Sequence, residues 1–277
     1  MCVSSLILLL CIGSCFAVDV DLSVLGPAKG FAMEAGAGDY FGVSVKRAGD
    51  INRDGYDDIV IGAEYEDPPI GTDAGIVYVI YGRNIPGGAQ PFANMQMPSG
   101  PLATSIGFRI LGAVANQRIG NCVSAAGDVN DDGTDDIIIG APGFNDVYVI
   151  YGRNIPGGAT AFGDIQLLTA NTPPSIGFHI LGTGGSITIG RAVSGAGDVN
   201  GDDISDVIVG SVGASIAYVI FGNAAPTAYQ LPTTAMSTDV GFRLIGSGYT
   251  GSYVSIVDDL NGDRFADILT ETALVIL

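Results

Sequence analysis

Four nine-residue segments place side chains with metal-ligating chemistry at matched positions: Asp50–Asp58, Asp128–Asp136, Asp198–Asp206 and Asp259–Asp267. The first reads Asp50-Ile51-Asn52-Arg53-Asp54-Gly55-Tyr56-Asp57-Asp58. Positions 1, 3, 5 and 9 carry a side-chain oxygen in every copy. They are Asp50, Asn52, Asp54, Asp58; Asp128, Asn130, Asp132, Asp136; Asp198, Asn200, Asp202, Asp206; and Asp259, Asn261, Asp263, Asp267. Alternate residues of a tight loop can turn their oxygens to one centre. Position 7 (Tyr56, Thr134, Ile204, Phe265) varies in side chain and can lend its backbone carbonyl. Hard oxygens with several carboxylates suit Ca²⁺, which takes six to eight such ligands at ~2.3–2.6 Å, better than Mg²⁺, which wants a regular octahedron and keeps its waters. No soft ligand is present to favour zinc or copper. The expectation is up to four Ca²⁺ ions. Asp-Asn-Gly segments also form plain turns; the period-2 oxygen pattern in all four copies favours ligation.

The loops are not EF-hands. Position 12 is Ile61, Ile139, Val209 or Thr270 where an EF-hand needs a bidentate Glu, and the residues around it are apolar and often β-branched, so each loop leads into a strand.

The chain of 277 residues has 29 acids against 11 bases, a net charge of −18, with 25 Asp and only 4 Glu. Fifteen of the aspartates lie in the four loops, with Asp203 set aside as a non-ligand, so four Ca²⁺ ions would bring −18 to −10. Hydrophobic residues at 47% and charged ones at 14% exclude a disordered acidic tail. Such acidity with two lysines excludes nucleic acid as a partner. A single histidine, His179, excludes sites built on several imidazoles, and no GxSxG occurs. His179 stands in GFHIL where sister copies carry Arg109 and Arg243, which predicts a solvent-facing strand residue. Glu34, Glu64, Glu66 and Glu271 lie outside the loops; a glycoside-hydrolase acid pair is a formal option for them, and exposed surface the simpler reading. Arg83-Asn84 and Arg153-Asn154, repeated in context, read as turn and packing signals.

The elements that must hold these loops recur with them. VYVIYGRNIPGGA at Val77–Ala89 returns unchanged at Val147–Ala159, a third version starts at Ala217, and ALVIL at Ala273–Leu277 is the start of a fourth. GFRIL at Gly107 returns as GFHIL at Gly177 and GFRLI at Gly241, with a weaker GFAME at Gly30. Each cycle thus holds four short runs rich in Val, Ile, Tyr and Phe, bounded by Gly, Pro, Asn or Asp: the GFxI run, a run ending in an AGD-like triplet (Phe41–Asp50), the run after the aspartates (Asp58–Ala63) and VYVIYG. These are strand signals, and four strands per repeat predict an all-β protein, a β-propeller of four-stranded antiparallel blades. The cycles run approximately 30–89, 107–159, 177–223 and 241–277, with Ile85–Thr104 and Ile155–Ser175 as loops between them. With GFxI as an outer strand, the copy at Gly30 can pair with Ala273–Leu277 and close a four-blade ring; the alternative is part of a larger propeller.

Residues 1–17 are expected to be a signal peptide, with the apolar run Leu6–Ala17 too short to span a bilayer and cleavage before Val18, leaving 18–277 as the repeat region. The alternatives are an N-terminal strand or helix in the core, or a lipid anchor at Cys15. Cleavage leaves Cys122 alone, without an intramolecular disulfide; it is expected to be a small buried hydrophobe. No transmembrane helix is expected.

The sequence resembles the FG-GAP repeats of integrin α-subunit propellers and related extracellular repeat proteins. Phe41-Gly42 is a literal FG, with Ile119-Gly120 and Ile189-Gly190 as relaxed versions. Ile61-Gly62-Ala63-Glu64, Ile139-Gly140-Ala141-Pro142 and the weaker Val209-Gly210-Ser211 supply the GAP element, and Leu269-Thr270-Glu271-Thr272 does not. The resemblance implies that the nonapeptide lies in the hairpin between the first two strands of a blade and binds Ca²⁺ through positions 1, 3, 5, 7 and 9. It departs at position 6, where Gly55 and Gly133 give way to Asp203 and Arg264, which predicts strain and weaker binding in the third and fourth loops. Integrins typically carry seven blades, a leg region and a membrane anchor, so the resemblance implies the module. The expected function is a secreted or cell-surface, non-enzymatic propeller that binds an extracellular protein or glycan. The alternative is an accessory or catalytic propeller of an extracellular polysaccharide- or lipid-degrading enzyme.

Overall fold

The structure, a computed structural model, describes residues 4–10, 30–84, 94–155, 162–169, 172–183, 188–257, 259–270 and 275–276. The chain is all-β. In order, the strands are β1 Ser4–Leu10, β2 Gly30–Ala37, β3 Phe41–Gly49, β4 Asp58–Ala63, β5 Ile76–Ile80, β6 Met95–Gln96, β7 Gly107–Leu111, β8 Val123–Gly127, β9 Asp136–Ala141 and β10 Asp146–Ile150. They continue as β11 Ile165–Gln166, β12 Gly177–Gly182, β13 Val193–Gly197, β14 Asp206–Ser211, β15 Ile216–Ile220, β16 Tyr229–Leu231, β17 Gly241–Ile245, β18 Val254–Val257, β19 Asp267–Thr270 and β20 Val275–Ile276.

Three sheets share one antiparallel plan, β3-β4-β5-β7, β8-β9-β10-β12 and β13-β14-β15-β17, and a fourth holds β18-β19-β20. The GFxI run is therefore the outer strand of the sheet begun in the preceding cycle, so consecutive sheets are stitched by sequence. This arrangement is that of propeller blades, consistent with the repeat reading. The stretches between cycles are not wholly loops: β6, β11 and β16 each pair in parallel with the outer strand β2, β7 or β12.

The middle strands are buried on both faces, which is why IVYVI, DIIIGA and DVYVI lack polar alternation. Alternate residues serve opposite neighbours. Tyr148 and Ile150 pack with Val77, Val79 and Phe108 of the first sheet, whereas Val147 and Val149 pack with Val207, Val209 and Tyr218 of the third. The same division places Ile61 and Tyr78 against Phe31 and Met33, and Ile208 and Val219 against Ile256 and Ile268.

The FG and GAP glycines form the joint between sheets. A Cβ on Gly62, Gly140 or Gly210 would drive into the backbone of Gly120, Gly190 or Gly251 in the following repeat. The partners Gly120, Gly190 and Gly251, with Gly42, have φ of 83°, 92°, 91° and 86°, a left-handed conformation in which a side chain is strained. Thr250-Gly251 is thus a fourth FG element that its sequence disguises.

Several expectations change. Gly30–Ala37 pairs with β1 and β6, and not with the final strand. His179 is fully buried and not solvent-facing, because the residue at its position faces the tyrosine of the VYVI strand: Tyr78 opposite Arg109, Tyr148 opposite His179, Tyr218 opposite Arg243. His179 stacks on Tyr148 at 4.6 Å, and its Nε2 lies 3.4 Å from Asp146 Oδ1, with neither ring nitrogen in a directed hydrogen bond. Arg109 is buried and bridges to Asp164 at 2.6 Å. Glu34 is exposed as expected, but Glu64 is buried and Glu66 half-buried. Glu66 accepts the Tyr78 hydroxyl at 2.7 Å, and burial is the main force pushing its carboxyl up to about 7. Cys122 is half-buried, with its thiol toward the Val193 carbonyl. Glu271, Cys2, Cys11 and Cys15 lie outside the described residues.

Candidate metal loops

All four nonapeptides join the first two strands of a sheet, at the same end of β3, β8, β13 and β18. Their hydrogen bonds repeat. The N–H of position 5 donates to the side-chain oxygens of positions 1 and 3, at 2.9 and 2.9 Å for Asp54, 3.0 and 3.1 Å for Asp132, 3.2 and 2.9 Å for Asp202, and 3.1 and 2.8 Å for Asp263. Position 6 donates to the other oxygen of position 1 (Gly55, Gly133, Asp203, Arg264), and position 7 donates to the position-5 carboxylate (Tyr56, Thr134, Ile204, Phe265). The position-3 amide (Asn52, Asn130, Asn200, Asn261) reaches the same carboxylate. Every loop therefore folds its acids inward over a nest of backbone donors.

Position 9 has a second task. Asp58, Asp136, Asp206 and Asp267 are buried, and each accepts the N–H of position 2. The first three also accept the N–H of the glycine that closes the third strand: Gly82, Gly152 and Gly222 at 2.8, 2.9 and 2.9 Å. Burial above all, with repulsion from the acids at positions 5 and 1, pushes Asp58, Asp136 and Asp206 up to about 7, 8 and 6 against the pull of those N–H groups.

The glycine departures resolve differently from the sequence expectation. Positions 4 and 6 both lie at positive φ in every loop: Arg53 57° with Gly55 90°, Asp131 57° with Gly133 82°, Gly201 82° with Asp203 66°, Gly262 84° with Arg264 80°. Each loop thus has one glycine and one strained non-glycine, in swapped places. The third and fourth loops are strained, but no more often than the first two. The swap also gives Gly201 and Gly262 N–H bonds to Asp198 and Asp259, each of 2.6 Å.

The loops are chained to one another. Ser205 and Ala266 at position 8 donate to the carbonyls of Asp128 and Asp198, while Asp135 at position 8 accepts the N–H of Asp50. The backbone of Arg153 and Ile155 returns to Ile51 and Asn52, which fits the packing role read for Arg153-Asn154, and the Arg153 guanidinium covers the Phe162 ring at 4.4 Å.

Among the described residues no three His, Cys, Asp or Glu side chains converge as a ready-made metal cage. The donor chemistry nonetheless fits a hard cation: two exposed or half-exposed acids, an amide oxygen and a buried carboxylate, whose oxygens keep lone pairs beyond those taken by N–H groups. Among the described residues no helix is long and apolar enough to cross a membrane.

Comparison with known proteins agrees with the repeat architecture. The FG-GAP repeat family matches residues 47–80 and 123–157. The chain is 28% identical to integrin alpha-PS5 of Drosophila melanogaster over 191 residues, 66% of this chain and 16% of that protein. It is 30% identical to integrin alpha-3 of Cricetulus griseus over 177 residues, 63% of the chain and 14% of that protein. It is also 28% identical over 170 residues to phosphatidylinositol-glycan-specific phospholipase D of Bos taurus, 58% of the chain and 17% of that protein. The matched region spans about a sixth of the length of these relatives. The chain thus carries FG-GAP repeat sequence at residues 47–80 and 123–157, and it is similar over about 60% of its length to integrin alpha subunits.

Proposed function

We propose that this chain is a secreted or cell-surface, calcium-stabilised propeller that binds an extracellular protein or glycan and carries out no catalysis. The observation that carries it is the repetition of one inward-folded oxygen loop at the same end of four sheets. Ca²⁺ would be held by Asp50, Asn52, Asp54, the Tyr56 carbonyl and Asp58, and by their counterparts in the other three loops. It would offset the repulsion among their carboxylates and stiffen each hairpin. With dissociation constants of ~0.1 mM, typical of extracellular modules, 1 mM Ca²⁺ adds about 1.4 kcal/mol per site. The melting temperature should then rise by roughly 10 °C between chelator and millimolar Ca²⁺. Calorimetry giving the same melting temperature in both would overturn the metal assignment.

The enzymatic alternative draws on the relative named as a phospholipase D. Turnover of a phospholipid, ester or polysaccharide panel by the purified chain would favour it; saturable, Ca²⁺-dependent binding without turnover favours the binding module.

We further propose that the mature chain, residues 18–277, closes a four-blade ring. β1 takes the slot on β2 that β5 takes on β7, in the same register: Leu10 faces Gly30 as Ile80 faces Gly107, and Leu9 faces Phe31 as Val79 faces Phe108. Among the described residues, β20 is the last strand of the three-stranded sheet β18-β19-β20, with no outer strand beside it. Cleavage before Val18 would remove β1 and leave that slot to β20. Hydrogen exchange tests it: the β20 amides should be protected in the 18–277 chain, and exchange at the rate of an unpaired edge sinks the closure.

A further inference from the structure

Opposite the aspartate loops, at the other end of the strands, lies a polar cavity of about 110 Å³ lined by Glu64, Tyr65, Arg118, Asn121, Pro142, Gly143 and Arg191. It sits on the glycine joints between the sheets. Glu64 ends the first GAP element, Asn121 and Arg191 each follow an FG-type glycine (Gly120 and Gly190), and Arg118 precedes Ile119. Glu64 Oε2 accepts the Asn121 amide at 2.7 Å, closing one wall between the first and second repeats.

Among the described residues neither Arg118 nor Arg191 forms an ion pair, as is also true of Arg53, Arg153, Arg243 and Arg264, so both guanidiniums keep their charge free for a ligand. Arg118 is held in place all the same. Its backbone sits at φ 60°, its N–H donates to the Asp73 carbonyl at 3.1 Å, and its guanidinium lies 4.8 Å from the Tyr65 ring centroid. Strain of this kind persists only where surrounding structure imposes it. Its Nε is buried without a hydrogen-bond partner, a donor desolvated and left unmatched. Arg191 reaches the same cavity from an exposed position.

We propose that this cavity binds the carboxylate of an acidic side chain on a protein ligand. Two guanidiniums against the single Glu64 carboxylate leave one net positive charge, the match for a monoanion. The planar fork of an arginine suits a carboxylate's two oxygens. The overall charge of −18 opposes a phosphate or sulfate dianion more strongly than a carboxylate. A cavity of about 110 Å³ takes a carboxylate and its methylene but is small for a sugar ring. The inference rests on the binding-module reading for the source of the ligand, whereas the pocket's own chemistry can be read with small carboxylates alone.

The test is ¹H–¹⁵N NMR of the arginine Nε–H signals of the full chain at constant ionic strength, titrated with acetate, an aspartate peptide with blocked ends, its asparagine counterpart and inorganic phosphate. Arg118→Lys and Arg191→Lys assign the two signals. Both should shift saturably with acetate and more tightly with the aspartate peptide, and not with the asparagine peptide. Arg191→Ala should weaken peptide binding about 10-fold, as loss of one charge-assisted hydrogen bond does. Glu64→Gln keeps the acceptor for Asn121, removes the competing charge and should tighten binding about 3-fold or more. The proposal is overturned by the absence of a saturable shift, by phosphate acting as strongly as the carboxylates, or by Glu64→Gln leaving affinity unchanged. Acetate binding with the peptide excluded would overturn the assignment to a protein side chain while leaving the carboxylate pocket intact. A saturable acetate shift in a protein that captures no macromolecular partner would refute the binding-module reading alone.

Discussion

Gly140→Ala is expected to lower stability by about 3 kcal/mol or more, the upper range for overpacking a core. Gly140 is buried in β9, and a Cβ there would overlap the carbonyl of Gly190, the FG-type glycine of the next repeat. The obstacle is backbone, which no rotamer change can move aside. Relief requires the second and third sheets to separate, which loosens the packing of Val147 and Val149 on Val207 and Val209. Gly163→Ala is the control, since its Cβ meets nothing within 4 Å, and it should stay within about 0.5 kcal/mol of wild type. Guanidinium denaturation midpoints compare the two. Equal midpoints would show that the sheets are not locked through these glycines.

Asp136→Ala should cost about 3 kcal/mol even in chelator, because it leaves two buried donors unmatched at roughly 1–3 kcal/mol each. Those donors are the N–H groups of Val129 and Gly152, bound at 3.0 and 2.9 Å by a carboxylate with no exposure. Through Gly152 the side chain ties the loop to the end of β10, so its role as an anchor precedes any role as a ligand. Asp132, at position 5, is exposed and bonds only within its own loop. Asp132→Ala should therefore cost about 1 kcal/mol or less in chelator and remove one site's share of the calcium-dependent stabilisation. The discriminating measurement is denaturation of both variants in chelator and in millimolar Ca²⁺. A small cost for Asp136→Ala in chelator would mean that position 9 is a ligand and little else.

The contrast between Asp136 and Asp132 separates what a residue's type and spacing reveal from what its neighbours in space decide. The four strands of each cycle were legible because short β-branched runs ended at Gly, Asn or Asp, and the outer place of GFxI followed from its order. The pairing of Gly30–Ala37 was not legible, because β1 and β20 are both short apolar strands that fit the same slot, and only spatial proximity chooses between them. His179 departs from expectation because a strand buried on both faces has no polar alternation by which to assign a side, and Glu64, in the turn after β4, because its carboxylate is held by Asn121 of the next repeat. In the loops, position 6 shows the loss of glycine in the third and fourth copies, and position 4 shows its compensation. Gly201 and Gly262 were the available signal, one glycine per loop at either of two left-handed positions.

Composition and repetition determine the class of this protein. The repeated strands make it all-β, the aspartates concentrate in four hairpins, and hard oxygens at period 2 define what those hairpins can hold. Such properties are local, set by side-chain type and by spacing along one short stretch of chain. The tertiary structure decided what depends on contacts between repeats: the glycine-to-glycine joint, the second role of position 9, the burial of His179 against Tyr148, and the gathering of Arg118 and Arg191 around Glu64. The glycine joint is the clearest case. Gly62, Gly140 and Gly210 have no positive φ to demand a glycine, so nothing in their own strand explains them; the reason is the backbone of the neighbouring repeat lying where a side chain would be.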